Sequence, residues 1–175
     1  MTQKIIGLVG PAGCGKSTAA IELTNLASVD FTRKRFAGPL KDMLRAFGLT
    51  EAQVDGDQKE VPCDILGGQT PRHAMQTLGT EWGRELIATD IWARAWTASI
   101  DGLGDVVVDD CRFPNEEELI RSMGGKIIRI ERAGFGHAST HESEAHVLTA
   151  DATVINDNTP RVLALNVRDA IMGLY

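Results

Sequence analysis

Ile5-Ile6-Gly7-Leu8-Val9-Gly10-Pro11-Ala12-Gly13-Cys14-Gly15-Lys16-Ser17-Thr18 is the stretch that decides the fold. It fits G-x-x-x-x-G-K-[ST], with an apolar run before it and a helix-forming run, Ala19-Ala20-Ile21-Glu22-Leu23, after it. Strand before and helix after is the context that the pattern requires. The glycines let backbone N–H groups turn towards phosphate oxygens, and the positive end of the helix dipole adds to them. Lys16 is placed to reach the β- and γ-phosphates of a nucleoside triphosphate, and the Ser17 hydroxyl to help hold Mg2+. The competing reading is a glycine-rich turn without a ligand. The loop does not say where a phosphoryl group goes.

Outward from the loop, the first helix is expected to run to about Ala27, with Ala20, Leu23 and Ala27 along one side. Phe31 to Phe36 reads as a second strand. Its cluster Arg33-Lys34-Arg35 is either a solvated edge or a phosphate contact. Pro39 opens a helix in which Leu40, Met43, Leu44 and Phe47 form an apolar stripe, and Gly48 stops it. Thr50 to Gly68 reads as an irregular connection with room for one short helix. Thr70 caps the next helix and Pro71 suits its first turn. There Arg72, Gln76 and Thr80 share one face and Met75, Leu78 and Trp82 another. Gly79 between them requires a close approach or a bend. Asp90 is placed to cap a helix from Ile91 to about Ile100, whose Trp92 and Trp96 are either core or, for one of them, a wall against a base.

Asp105-Val106-Val107-Val108-Asp109-Asp110 reads as a buried strand ending in carboxylates. It resembles a Walker-B strand, whose acidic end lies beside the phosphate loop and orients Mg2+. Asp109 and Asp110 are both candidates for that role, with a turn-capping acid as the alternative. Asn115 is expected to cap a helix through Met123. Lys126 to Glu131 is a strand, with Arg132 at its carboxyl end. Residues 133–147 read as a lid-like loop. His141-Glu142 there lacks the second histidine of a zinc-protease pattern, since position 145 is Ala145. Ala152 to Ile155 is the last strand. Thr159 caps and Pro160 begins the last helix, with Leu163, Val167, Ala170, Ile171 and Leu174 on its core side. This order predicts one α/β domain: a P-loop fold with a parallel sheet of about five strands, helices on both faces, and a helical insertion over about 37–104.

Composition narrows the function classes. A chain of 175 residues with 43% hydrophobic and 24% charged residues suits one soluble α/β domain. A net charge of −6 argues against a broad nucleic-acid-binding face. No apolar run suits a signal peptide or a membrane span. Three cysteines, Cys14, Cys63 and Cys111, without metal-ligand spacing suit a reducing compartment. No Asn-Lys-x-Asp motif supports a GTPase. An insertion bearing Arg72, with Arg112 after the acidic strand, suits a small-molecule kinase, because arginines hold an acceptor phosphate and neutralise the transferring group.

Several segments resemble one family in order along nearly the whole chain. They are the phosphate loop, Phe36-Ala37-Gly38-Pro39-Leu40-Lys41-Asp42, Arg72-x-x-Met75-Gln76-x-Leu78-Gly79-Thr80-Glu81, Asp110-x-Arg112-x-x-x-Glu116, Thr140-His141-x-x-Glu144 and Val154-Ile155-Asn156-Asp157. The family is the phage-type deoxynucleoside monophosphate kinases. The resemblance implies ATP with Mg2+ and a deoxynucleoside monophosphate as partners, with no nucleic-acid polymer and no membrane. It also implies action in a bacterial host cytoplasm and leaves a homodimer open.

By the resemblance, Gly10, Ala12, Gly13, Cys14, Gly15, Lys16, Ser17 and Thr18 hold the ATP phosphates, while Asn156, Asp157 and Pro160 edge the adenine. Lys41, Arg72, Gln76, Gly79, Thr80, Trp92, Asp110, Arg112 and Glu116 line the acceptor site. The metal falls to Ser17 with Asp109 or Asp110. In-line transfer to a phosphate needs no strong base. Lys16, Arg112, Arg72 and Arg132 are the expected catalytic cations. A kinase of the dephospho-coenzyme A type and a nucleotide-gated binding module remain as alternatives.

Overall fold

The computed structural model describes residues 3–134 and 148–175. In chain order the elements are β1 (Ile5–Val9), α1 (Lys16–Thr24), β2 (Phe31–Arg33), α2 (Gly38–Ala46), α3 (Glu51–Val54), α4 (Pro71–Thr77), α5 (Ile91–Ile100), β3 (Asp105–Val108), α6 (Pro114–Ser122), β4 (Lys126–Glu131), β5 (Ala152–Ile155) and α7 (Pro160–Leu174). A 3-10 turn covers Asp64–Leu66, and a π-helix, Leu78–Ile87, continues α4. Two compact units divide the chain: Met1–Arg35 with Ile100–Tyr175, and Phe36–Ser99.

The first unit is built on a five-stranded parallel sheet in the order β2-β3-β1-β4-β5. Every residue of β1 is buried, as expected where helices cover both faces of a parallel sheet. Ile6 and Leu8 share a core with Ala19, Ala20 and Leu23 of α1 and with Leu163, Val167 and Ile171 of α7. Gly7 faces the other way, where α6 packs so closely that a Cβ would lie 2.9 Å from Ile120 Cδ1. The neighbours of β1 are β3 and β4, so connections leave it in opposite directions. Such a switch point opens a crevice at the strands' carboxyl ends. The α/β P-loop fold expected from the sequence is the fold observed.

Three boundaries differ from expectation. The first helix ends at Thr24, not Ala27. The second strand ends at Arg33, where the Lys34 N–H makes a last ladder bond to the Val107 carbonyl. Asn115 does not cap α6. Pro114 fills the first turn, and the Glu116 carboxylate accepts the Phe113 N–H instead. Thr159 does cap α7, its hydroxyl accepting the Val162 N–H. The lid-like loop expected over 133–147, with His137, His141, Glu144 and His146, lies outside the described residues from 135 onwards.

The second unit has its own core of Leu40, Leu44, Leu49, Val54 and Trp92, joined by Met75 and Leu78. The expected stripe of α2 is narrower than its periodicity suggests. Leu40 and Leu44 are buried, whereas Met43 is 43% and Phe47 66% exposed. Phe47 is the C-cap of α2, with its N–H still bonded to the Met43 carbonyl, so the buried seam is the Leu40–Leu44 pair alone. A charged network ties α2 to α3. Lys41 pairs with Asp55 at 2.5 Å, and Arg45 reaches Asp42, Glu51 and Asp55 at 2.7–2.9 Å. Phe36 and Trp96 meet with ring centroids 4.5 Å apart.

Candidate active site

The loop between β1 and α1 takes its shape from glycines at positive φ: Gly10 at 138°, Gly13 at 76° and Gly15 at 108°. Side chains are also excluded by space. A Cβ on Gly10 would run into the Ile130 carbonyl, and one on Gly15 would lie 2.5 Å from Asn156 Nδ2. Lys16 Nζ donates to the Gly10 and Pro11 carbonyls at 2.6 and 2.8 Å, across the mouth of the loop. Ala12, Gly13, Ser17 and Thr18 are exposed, while the Cys14 side chain is buried. The first N–H groups of a helix have no intrahelical partner. At the start of α1 they are the donors an anion would use.

The register of the sheet brings a second group to this loop. Arg33 pairs with Val107 across the β2–β3 ladder. Side chains alternate along a strand, so Asp109, two residues beyond Val107, lies on the same side as Arg33. Arg33 forks onto Asp109, Nε to Oδ1 at 2.9 Å and a terminal nitrogen to Oδ2 at 2.5 Å. Ser17 Oγ donates to the same Oδ2 at 2.5 Å. Asp109 is only 3% exposed. Burial alone would raise its pKa. The hydrogen bonds from Arg33 and Ser17, with the charges of Arg33 and Arg35, outweigh burial and hold the carboxyl below its ordinary value.

These donors fit Mg2+ by their chemistry. A hydroxyl and a carboxylate are hard oxygen ligands, and Mg2+ is commonly held by one or two such groups together with substrate phosphates. Among the described residues, no group of three or more His, Cys, Asp and Glu is arranged to hold a metal alone.

Beyond Asp109, the chain runs through half-buried Asp110, buried Cys111 and exposed Arg112. Glu116 is 4% exposed, and its Oε2 accepts the Arg112 and Phe113 N–H groups at 2.8 and 3.1 Å. Its carboxylate thus shapes the turn that carries Arg112. The Cys111 thiol is pushed well above its ordinary value by burial and by the charges of Glu116 and Asp110, which leaves it an inert core residue. Across the sheet, Asn156 continues the β4–β5 ladder through its N–H to the Glu131 carbonyl. Its side-chain amide donates to the Cys14 carbonyl at 2.8 Å. Asn156 therefore braces the phosphate loop itself. Arg132, Asp157 and Pro160 are exposed.

In the second unit, Thr70 caps α4 by accepting the His73 N–H at 3.1 Å. Arg72, Gln76 and Thr80 are all exposed, as their spacing predicts. Arg72 Nε pairs with Glu60 Oε1 at 2.7 Å. Gly79 lies just inside the π-helix, where a Cβ would come 3.1 Å from Leu40 Cδ1; close approach and a change of helix type both apply. Trp92 is 7% exposed and donates its indole N–H to the Gly79 carbonyl at 2.7 Å. Its ring leaves no space for a side chain at Gly83, where a Cβ would lie 2.7 Å away. Trp92, the core residue or base-side wall of the sequence reading, packs in the core of this unit against Gly79 and Gly83. Trp82, expected on the packing face, is 38% exposed with its ring 6.2 Å from that of Trp92.

A doubly wound sheet, a glycine loop before α1 and an acid after β3 in contact with the loop's serine define a P-loop nucleotide-binding fold. The APS kinase CysC of Mycobacterium tuberculosis, solved with AMPPNP and APS, has this fold. It matches at a TM-score of 0.54 and 13% identity, over 98% of each chain. A putative kinase from Chloroflexus aurantiacus matches at 0.50 and 12%, over 99% of this chain and 98% of that one. The family follows from sequence. A model described as deoxynucleotide monophosphate kinase matches residues 57–166. A putative deoxynucleotide monophosphate kinase of Acanthamoeba polyphaga mimivirus is 34% identical over 174 residues, 89% of each chain. A deoxynucleoside-5'-monophosphate kinase of Escherichia phage T5 is 44% identical over 54 residues, 30% of this chain and 22% of that protein. The chain belongs to the deoxynucleotide monophosphate kinase family and is an ATP-dependent kinase.

Proposed function

We propose that this kinase moves the γ-phosphoryl group of ATP to the 5'-phosphate of a deoxynucleoside monophosphate, giving a diphosphate and ADP. The observation that carries the acceptor side is the exposed face of Arg72, Gln76 and Thr80 in a unit with its own core. An arginine suits a phosphate, and a glutamine amide offers both donors and acceptors to a base edge. Relatives named for deoxynucleotide monophosphates support the class of acceptor.

On the donor side, the loop N–H groups and Lys16 take the β- and γ-phosphates, replacing the carbonyl partners that Lys16 now has. Ser17 and the acid after β3 serve the metal. Mg2+ held by these residues would supply charge neutralisation at the phosphates. Arg112, on the turn that Glu116 holds, neutralises the group in transfer, with Arg132 as a further cation. Arg72 clamps the acceptor phosphate. That phosphate is already a nucleophile, so the protein supplies position and charge and no general base. Lys41, paired with Asp55, acts on the acceptor side through the fold of α2 and α3. Among the described residues no helix is long and apolar enough to cross a membrane. Action among dissolved nucleotides of a host cytoplasm accords with the viral and phage relatives.

Coupled ADP release over a panel of acceptors tests this reading. Turnover is expected with one or more deoxynucleoside monophosphates. Turnover with dephospho-coenzyme A and none of the nucleotides overturns the acceptor class. ATP binding without acceptor-dependent ADP release overturns phosphotransfer.

A further inference from the structure

We propose that Arg33 is a positioning residue of the metal–nucleotide site, clamping Asp109 so that Asp109 aims the Ser17 hydroxyl. The inference rests on the phosphate loop being the nucleotide site and deepens that reading. Arg33 ends a three-residue strand and is half-buried, and its Nε and one terminal nitrogen both bond one carboxylate. A fork held by two parallel bonds fixes the rotation of that carboxylate as well as its place. A lysine there would supply a point charge and no such orientation.

The consequence lies in the hydroxyl. Ser17 has one proton, and Oδ2 of Asp109 takes it at 2.5 Å. A hydroxyl that gives its proton to one side presents oxygen lone pairs to the other. A cation arriving with phosphates then meets an acceptor oxygen. Both oxygens of Asp109 already accept from Arg33, and Oδ2 accepts twice. With three of its about four acceptor sites taken, Asp109 serves in this proposal as the partner that orients Ser17, and Ser17 offers the oxygen that the metal meets. Arg33 acts through two other residues and touches neither nucleotide nor metal.

The test is calorimetric titration of the full chain with ADP, once in excess EDTA and once in excess Mg2+, for wild type, Arg33→Lys and Arg33→Met, with melting curves for each. Groups behind a metal ligand typically cost about ten- to a hundredfold in metal affinity when removed, so Arg33→Met is expected to lose about tenfold or more of the Mg2+-dependent gain in ADP affinity, with metal-free affinity within about twofold of wild type. Arg33→Lys is expected to recover part of that gain. Mn2+ bound in the presence of ADP, read by electron paramagnetic resonance, should fall in parallel. A full Mg2+-dependent gain in Arg33→Met overturns the proposal. So does an equal loss with and without metal, which would make Arg33 a phosphate ligand. Loss of the fold in both variants also overturns it, by making Arg33 a core residue. No acceptor enters the titration, so the result reads the same whichever acceptor class the kinase uses.

Discussion

The Asn156 side-chain amide donates to the Cys14 carbonyl at 2.8 Å, joining the end of β5 to the phosphate loop across 142 positions of sequence. The bond occupies the carbonyl of a loop residue and so fixes that peptide of the phosphate loop. Asn156→Ala should cost about 1 kcal/mol of stability, the usual worth of one such bond. It should also raise KM for ATP by about three- to tenfold with a smaller effect on kcat, since the loss falls on donor binding. Asn156→Asp should be worse than Ala, because an acceptor then faces the carbonyl and a negative charge faces the phosphates. KM for ATP and melting temperature check both; an Asp variant better than Ala would remove Asn156 from this role.

Trp92 and Gly83 give a second expectation. Gly83→Ala pushes a methyl group onto the indole and should destabilise by about 1–3 kcal/mol as overpacking does. Trp92→Phe keeps most of the buried area but leaves the Gly79 carbonyl without its donor, at about 1 kcal/mol. If Trp92 is core, KM for the acceptor should be close to wild type in Trp92→Phe at temperatures well below its melting point. A large change in that KM without a change in melting temperature would return Trp92 to the acceptor.

Glu60 and Arg72 compete in a different way. Both are largely exposed, and such pairs contribute only about 0–1 kcal/mol. Glu60→Gln should therefore leave the melting temperature close to wild type. It should lower KM for the acceptor by about two- to threefold, because Arg72 no longer gives up a carboxylate to take a phosphate. A raised KM would mean that Glu60 itself helps to hold the acceptor.

Asp151 predicts part of the acid limit. Burial alone would raise its pKa. The Ile127 N–H, the Arg121 guanidinium and the charge of Lys126 outweigh burial and hold it below its ordinary value of 3.8. A carboxyl depressed in the folded state stabilises above its unfolded value, and that stability is lost as pH falls through the folded one. Asp151 should thus contribute fully above about pH 5 and lose its contribution below 3.8. Denaturant melts across acid pH should show a shallower decline for Asp151→Asn, whose amide oxygen still accepts the Ile127 N–H. An unchanged slope would place the acid sensitivity elsewhere.

Local patterns made the frame legible. The β1–loop–α1 motif, the helix starts at Thr70-Pro71 and Thr159-Pro160, and strands Lys126–Glu131 and Ala152–Ile155 all carry short-range signals. The exposure of Arg72 and Gln76 accords with their spacing on α4, while Thr80, also exposed, lies in the π-helix that spacing does not show. Roles set by pairing register were not legible. From sequence Arg33 reads as a solvated edge or a phosphate contact, although alternation from buried Phe31 puts it on the inward side of β2. That was the one available signal. Its partner Asp109 is 76 positions away and is fixed only by the β2–β3 ladder. Glu116 and Trp92 show the reverse. Both carry expected site roles by resemblance, and both are buried and bonded to backbone: the Glu116 carboxylate accepts the Arg112 N–H and the Trp92 indole donates to the Gly79 carbonyl. A motif reports which residues belong together; whether a residue touches substrate or supports one that does depends on tertiary packing.

The separate core of Phe36–Ser99 bears on how such a kinase diversifies. Substitutions that reshape the Arg72 face are absorbed by Leu40, Leu44, Leu49, Val54 and Trp92, and not by the sheet that sets the phosphate loop. On the reading proposed above, with the acceptor held by the Arg72 face, preference for one nucleobase over another would drift under selection while the phosphate loop is kept. A second core lets one unit of the chain take up substitutions on its surface without repacking the other.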